Sequence, residues 1–137
     1  VDGGLLRLIS GKYKDHEGFR GKYLPVDYYD IKLEPGKSFT IETDKEKSVL
    51  VFTLSGAARI AGETVEEKTA VKLTEGDSLV IESLEKEAEM LFLSSDMLKE
   101  PVSWGGPIVM NTEQELRQAF AELRTGEFLK EKVEYDV

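Results

Sequence analysis

Val26-Asp27-Tyr28-Tyr29-Asp30-Ile31-Lys32-Leu33 sets Tyr29, Ile31 and Leu33 on one side and Tyr28, Asp30 and Lys32 on the other. Period-two alternation of this kind is the mark of a half-buried strand. Glu34-Pro35-Gly36 then turns the chain, and Phe39 and Ile41 point a second short strand inward. Upstream, Leu5–Ile9 is a first strand, followed by a polar, Gly-containing loop over Ser10–Gly21 whose pattern assigns no element. Downstream, Thr43–Lys47 is a charged loop, and Val49–Leu54 is apolar enough for a central strand covered on both faces. Ser55-Gly56 ends it. Arg59–Ala61 and Val65 flank a turn at Gly62-Glu63, and Val71 and Leu73 lead into the turn Thr74-Glu75-Gly76-Asp77. Leu79–Ile81 and Met90–Leu93 complete the strands. Short strands at this spacing predict an all-β antiparallel sandwich or barrel of the jelly-roll kind.

The C-terminal part follows a different period. Leu116, Ala119, Phe120 and Leu123 recur at i, i+3, i+4 and i+7 and define an apolar helical stripe. Thr112 as N-cap with Glu115 three residues on makes a capping box, Glu113 adds negative charge to the first turn, and Gly126 supplies a left-handed C′ position. The expected layout is one domain over residues 1–137: barrel at about 5–95, linker 96–111, helix at about 112–125 packed outside the barrel with Phe128 closing the contact, and tail 126–137.

Composition bounds the function. The chain has 137 residues, 40% of them hydrophobic and 33% charged, and no cysteine. That is a globular composition, and the missing thiols exclude disulfides, thiolate metal sites and a Cys nucleophile. The formal net charge is −9. It is uneven: residues 1–22 carry a net +2 and the remainder −11. Most of the surface therefore repels phosphate backbones, and direct nucleic-acid binding is not expected. No apolar run approaches the ~18 residues of a membrane span, so no membrane association is expected and the reading is cytoplasmic. The chain opens with Val1, consistent with a removed initiator or a trimmed longer chain.

A sandwich of this strand rhythm is similar to the cupin barrel (the double-stranded β-helix), which binds metal through histidines and a glutamate spaced around glycine turns. With Gly36 and Gly56 as the first and last glycines of the first such motif, the ligand positions fall on Glu42, Asp44 and Val49. With Gly76 opening the second motif, the histidine position falls on Glu87. The chain has one histidine, so a multi-imidazole site for iron, copper or nickel cannot be built. Glu42, Asp44 and Glu87 are the candidates for a weakly held hard cation such as Mg²⁺ or Ca²⁺. His16, among Lys14, Asp15 and Glu17, reads as a surface residue. No G-x-S-x-G elbow and no phosphate-loop signature is present. Tyr13, Tyr23, Tyr28 and Tyr29 are candidates for a pocket, with core filling as the alternative, and Tyr28 and Tyr29 also for an interface.

The segment Glu100-Pro101-Val102-Ser103-Trp104-Gly105-Gly106-Pro107-Ile108-Val109-Met110-Asn111-Thr112, followed by Glu115, Gln118-Ala119-Phe120 and Gly126-Glu127-Phe128, resembles the C-terminal signature of the pirin family. Tyr29-Asp30-Ile31, Leu33-Glu34-Pro35-Gly36 and Leu54-Ser55-Gly56 resemble the same family's second cupin domain. Trp104, Gly106, Pro107, Met110, Asn111 and Thr112 carry the signature, and Gly105 departs from it where an aromatic residue is expected. The resemblance implies that an iron-type metal, and in some members oxygen-dependent quercetin cleavage, belongs to an N-terminal cupin that is not in this chain. No cofactor and no enzymatic activity are expected for this chain alone; within a full bicupin the resemblance implies a metal-dependent dioxygenase. The first reading is a structural or interaction module whose partner is an N-terminal cupin or a second copy in a homodimer. The second is a barrel that binds a small molecule or weak cation. A transcription-cofactor role is implied only by resemblance.

Overall fold

In the computed structural model of the chain, residues 2–131 are described; residues 132–137 of the expected tail lie outside them. Contacts divide the chain into two compact units, Val1–Met97 and Leu98–Val137. The first contains β1 (Gly4–Ser10), β2 (Lys12–Tyr13), β3 (His16–Glu17), β4 (Val26–Leu33), β5 (Ser38–Glu42), β6 (Lys47–Ser55), β7 (Ala58–Ile60), β8 (Glu63–Val65), β9 (Ala70–Leu73), β10 (Ser78–Ser83) and β11 (Ala88–Asp96). The second contains β12 (Ser103–Gly105), β13 (Ile108–Met110) and α1 (Glu113–Thr125).

The first unit is a two-layer antiparallel sandwich. One sheet has the order β1-β4-β11-β6-β9 and the other β5-β10-β7-β8. The alternation that marked residues 26–33 as a strand is kept along β4, with Tyr29, Ile31 and Leu33 buried. Facing them from the second sheet are Phe39, Ile41, Leu79, Ile81 and Ile60, all in one core cluster with Val49, Val51, Met90 and Phe92. A fully buried aliphatic or aromatic side chain contributes roughly 1.5–3 kcal/mol, so this cluster is the main source of the fold's stability. Two buried polar side chains beside it, Thr53 and Ser83, are hydrogen-bonded. Thr53 donates its hydroxyl to the Glu66 carbonyl at 2.6 Å and accepts from the Thr69 N–H at 3.0 Å. Ser83 donates to the Glu34 carbonyl and accepts from the Lys37 N–H at 3.1 Å, which ties down the Glu34–Lys37 turn.

Three local expectations are corrected. β6 is an interior strand, but it is not covered on both faces: Val49, Val51 and Thr53 are buried while Leu50 is 36% exposed. A two-layer sandwich gives each strand one core face, whatever its hydrophobicity. The Ser10–Gly21 segment contains the β2–β3 hairpin, with Lys12 opposite Glu17 and Tyr13 opposite His16. The β7–β8 turn sits one residue earlier than expected, at Ala61-Gly62, because both turn residues take positive φ (50° and 86°), as a tight hairpin turn requires.

In the second unit the residues expected to be a plain connector form the β12–β13 hairpin, with Trp104 opposite Val109. The helix has the caps its sequence specifies. Thr112 accepts from the Glu115 N–H at 3.2 Å, Glu115 accepts from the Thr112 N–H at 2.9 Å, and Gly126 takes φ 78°. The apolar stripe is only partly used: Ala119 is buried, Leu116 and Phe120 are half-buried, and Leu123 is 45% exposed.

Candidate functional site

The positions from which a barrel of this spacing would present metal ligands are occupied as follows. Phe39 and Ile41 are the inward residues of β5, so Glu42 stands exposed on the outer side, opposite Ser78 on β10. Asp44 is exposed in the loop after β5, where its Oδ1 accepts the Glu46 N–H at 2.8 Å. Val49 is buried. Glu87 is exposed and paired with Lys32 at 2.9 Å. It lies beside Ala88, which faces Leu33 on β4, near the start of β5 rather than its end. The length of β5, roughly 13 Å at ~3.3 Å per residue, thus separates Glu87 from Glu42. The candidate cation set is therefore not brought together. Among the described residues no group of three or more His, Cys, Asp or Glu could hold a metal ion. An iron-type centre, which needs convergent imidazole or carboxylate donors, does not fit the side chains at these positions.

The polar group that sequence spacing missed at this end is Thr43, next in the inward phase after Phe39 and Ile41. Its Oγ1 is buried with no hydrogen-bond partner and lines a cavity of about 80 Å³ with Val49 and Leu79. With Asp44, Lys47, Thr74 and Ser78 also lining it, a space of that size suits an ordered water.

The organised polar and aromatic feature of the first unit lies at the β2–β3 hairpin. Lys12 donates its N–H to Asp27 Oδ1 at 3.0 Å, and its carbonyl accepts the Tyr29 hydroxyl at 2.5 Å. Both polar groups of one peptide segment are thereby fastened to β4. Tyr13 packs edge-on against Tyr29 with ring centroids 5.7 Å apart and tilts against Phe39 at 6.0 Å; Tyr29 stacks on Phe92 at 5.2 Å. Burial, followed by the charge of Asp27 and the neighbouring Tyr13, pushes the Tyr29 hydroxyl up to about 12, so it is a donor throughout the neutral range. A cleft of about 510 Å³ opens between this hairpin and β5, bordered by Lys12, Tyr13, Lys14, Tyr29, Phe39 and Glu42 among others. Tyr28, a candidate for a pocket or interface, stands on the face of β4 opposite to Tyr29, as the alternation requires, beside Leu93. Tyr23 is fully outward and His16 is exposed on β3. Neither borders this cleft.

In the second unit the signature residues are explained by local architecture. Gly106 and Pro107 form the hairpin turn, with φ 52° at Gly106, and the Trp104 indole N–H donates to the Gly106 carbonyl at 2.7 Å. Asn111 closes the open end of the hairpin, donating Nδ2 to the Pro101 carbonyl at 3.0 Å and to Glu100 Oε2 at 2.9 Å. Met110 ends β13 and Thr112 caps α1. Gly105 lies under the helix: a Cβ there would stand 3.0 Å from Phe120 Cε2 and 3.2 Å from Leu116 Cδ2. The absence of an aromatic residue at 105 leaves that space to Phe120.

Residues 28–129, spanning both units, match the family described as the pirin C-terminal cupin domain. The chain is 33% identical over 129 residues to human pirin, covering 90% of this chain and 44% of that protein. To a pirin-like protein of Caulobacter vibrioides it is 31% identical over 130 residues, covering 93% and 47%. A crystal structure of quercetin 2,3-dioxygenase from Acinetobacter baumannii superposes with a TM-score of 0.82 at 32% identity, over 92% of this chain and 44% of that one. The chain spans about half the length of the curated relatives it matches. No described helix is long and apolar enough to cross a membrane. With a sandwich of cupin topology, a signature hairpin and capped helix, and a family match over most of its length, the chain belongs to the pirin C-terminal cupin domain family.

Proposed function

We propose that this chain is a structural and interaction module: a C-terminal cupin without metal ligands of its own that packs against a metal-binding N-terminal cupin or pairs with a second copy. The observation that carries the reading is where the apolar side chains lie. Of the positions that would hold ligands, Val49 is buried in the core and Glu42, Asp44 and Glu87 are exposed, while the inward residues of β5 are Phe39 and Ile41. Meanwhile Leu5, Ile9 and Leu50 are exposed on the outer face of the five-stranded sheet, and Trp104 (76%) and Val109 (58%) on the outer face of the hairpin. Exposed apolar surface of this kind suits an interface better than a reaction. In this reading oxygen-dependent cleavage of a flavonol is the work of the partner cupin, and the chain acts in the cytoplasm without binding nucleic acid.

Native mass spectrometry on protein purified without chelator tests this, run alone and with the N-terminal half of a pirin-family relative. A dimer free of metal, or a 1:1 complex in which the metal travels with the N-terminal half, supports the module. A stoichiometric metal ion on a monomer that binds neither partner overturns it.

A further inference from the structure

We propose that the cleft between the β2–β3 hairpin and β5 binds a planar aromatic molecule carrying a single anionic group, of the aromatic carboxylate class. The cleft's size, about 510 Å³, falls within the range of small-molecule sites. Its floor is aromatic. Tyr13 is half-buried and meets Tyr29 edge-on and Phe39 at a tilt rather than stacking on either, so its ring remains available to a planar partner.

The charge arrangement sets the sign of the ligand. Arg7, Lys32, Lys47, Arg59, Arg117 and Lys130 each meet a carboxylate. Lys12 and Lys14, both at the cleft, form no ion pair among the described residues, although the chain carries a net charge of −9. Lys14 Nζ stands 5.4 Å over the Tyr13 ring, beside the surface on which an aromatic ligand would lie. The Lys14 ammonium over the aromatic platform, with Lys12 also bordering the cleft, matches a ring bearing a carboxylate. Glu42 on the β5 side, together with Asp2, opposes a second anionic group and accepts from a neutral donor at the far end of the ring. The wall is preformed, because Asp27 and Tyr29 hold both polar groups of the Lys12 segment, so little ordering is left for binding to supply. The site does not depend on the module reading and stands whether the chain is a monomer or a complex.

The probe is 2-naphthoate, titrated into the full chain and followed by amide NMR, with neutral 2-naphthamide and doubly charged 2,6-naphthalenedicarboxylate as comparisons. Saturable shifts confined to the amides of 12–14 and 39–42, weaker for both comparison compounds, are expected. The K12A/K14A variant, altered only at exposed side chains and checked for an unchanged spectrum elsewhere, is expected to bind about tenfold more weakly. Shifts that fail to saturate by about 10 mM (a dissociation constant too weak to matter), equal shifts with the neutral amide, or unchanged affinity in K12A/K14A would overturn the site.

Discussion

The hydroxyl of Tyr29 donates to the carbonyl oxygen of Lys12 across 2.5 Å, so a residue whose ring is in the core of the five-stranded sheet holds a surface hairpin in place. The pairing gives Tyr29 two roles that one substitution can separate. Tyr29→Phe keeps the ring against Phe92 and Tyr13 and removes only the donor. The expected loss is about 1 kcal/mol of stability, with faster hydrogen exchange over residues 12–17 and little change elsewhere. Exchange mass spectrometry checks this, and an unchanged hairpin would show that Tyr13 packing alone is sufficient.

The same hydroxyl has a pH signature. Its folded-state value near 12 lies above the ordinary 10, so the folded chain keeps this proton longer than the unfolded one. The stability linked to it is fully present below pH 10 and is lost as pH rises from about 10 toward 12. Urea titrations across that window should show a decline that is shallower in Tyr29→Phe.

Gly56 and Gly62 form a matched pair for separating conformation from space. Both have positive φ, 70° and 86°, but a Cβ at 56 would stand 2.3 Å from the Glu87 carbonyl oxygen while one at 62 meets nothing within 4 Å. Gly62→Ala should cost about 1 kcal/mol from backbone conformation. Gly56→Ala should cost clearly more, because β6 must also move away from the start of β11. Equal losses in thermal denaturation would show that the contact is easily relieved.

In the second unit, Gly105→Ala forces its Cβ against the Phe120 ring edge and should cost roughly 1–3 kcal/mol. Phe120→Leu should reduce that penalty. A double-mutant cycle is expected to give a coupling of at least about 0.5 kcal/mol, whereas strict additivity would place the strain elsewhere. Thr112→Ala removes the side-chain half of the capping box, leaves the residue-112 N–H to Glu115, and should cost about 1 kcal/mol.

Trp104 is the only tryptophan, and it is 76% exposed. Its fluorescence should be that of a solvated indole in the isolated chain and should move to shorter wavelength when the hairpin face is covered by a partner. Trp104→Ser should leave stability within about 0.5 kcal/mol and weaken association. If association is unaffected, the outer sheet face at Leu50 is the surface to test next.

How much of this was legible in the sequence depends on how far each determinant reaches along the chain. The β4 strand, read as Val26–Leu33, has those bounds in the structure, and the helix begins and ends at its named caps, because side-chain alternation and capping act between residues two to four apart. The family signature was equally local: the Gly106-Pro107 turn, the Asn111 closure and the Thr112 cap each act within a few residues of themselves.

The placement of the candidate metal positions depends instead on long-range determinants. Motif spacing puts Glu42 and Asp44 at ligand positions, but whether a residue faces in or out is set by the register of β5 on β10. In that register Phe39 and Ile41 are inside and Glu42 is outside. The distance of Glu87 from Glu42, the hold of Tyr29 on Lys12 and the fit of Phe120 over Gly105 likewise join residues far apart or on different elements. By itself the sequence determined that this chain forms short alternating strands followed by one capped helix, since those preferences are local. Only the tertiary structure decided which side chains share a cavity, which stand alone and which apolar surfaces stay open, because packing two sheets face to face sets the inside of every strand at once.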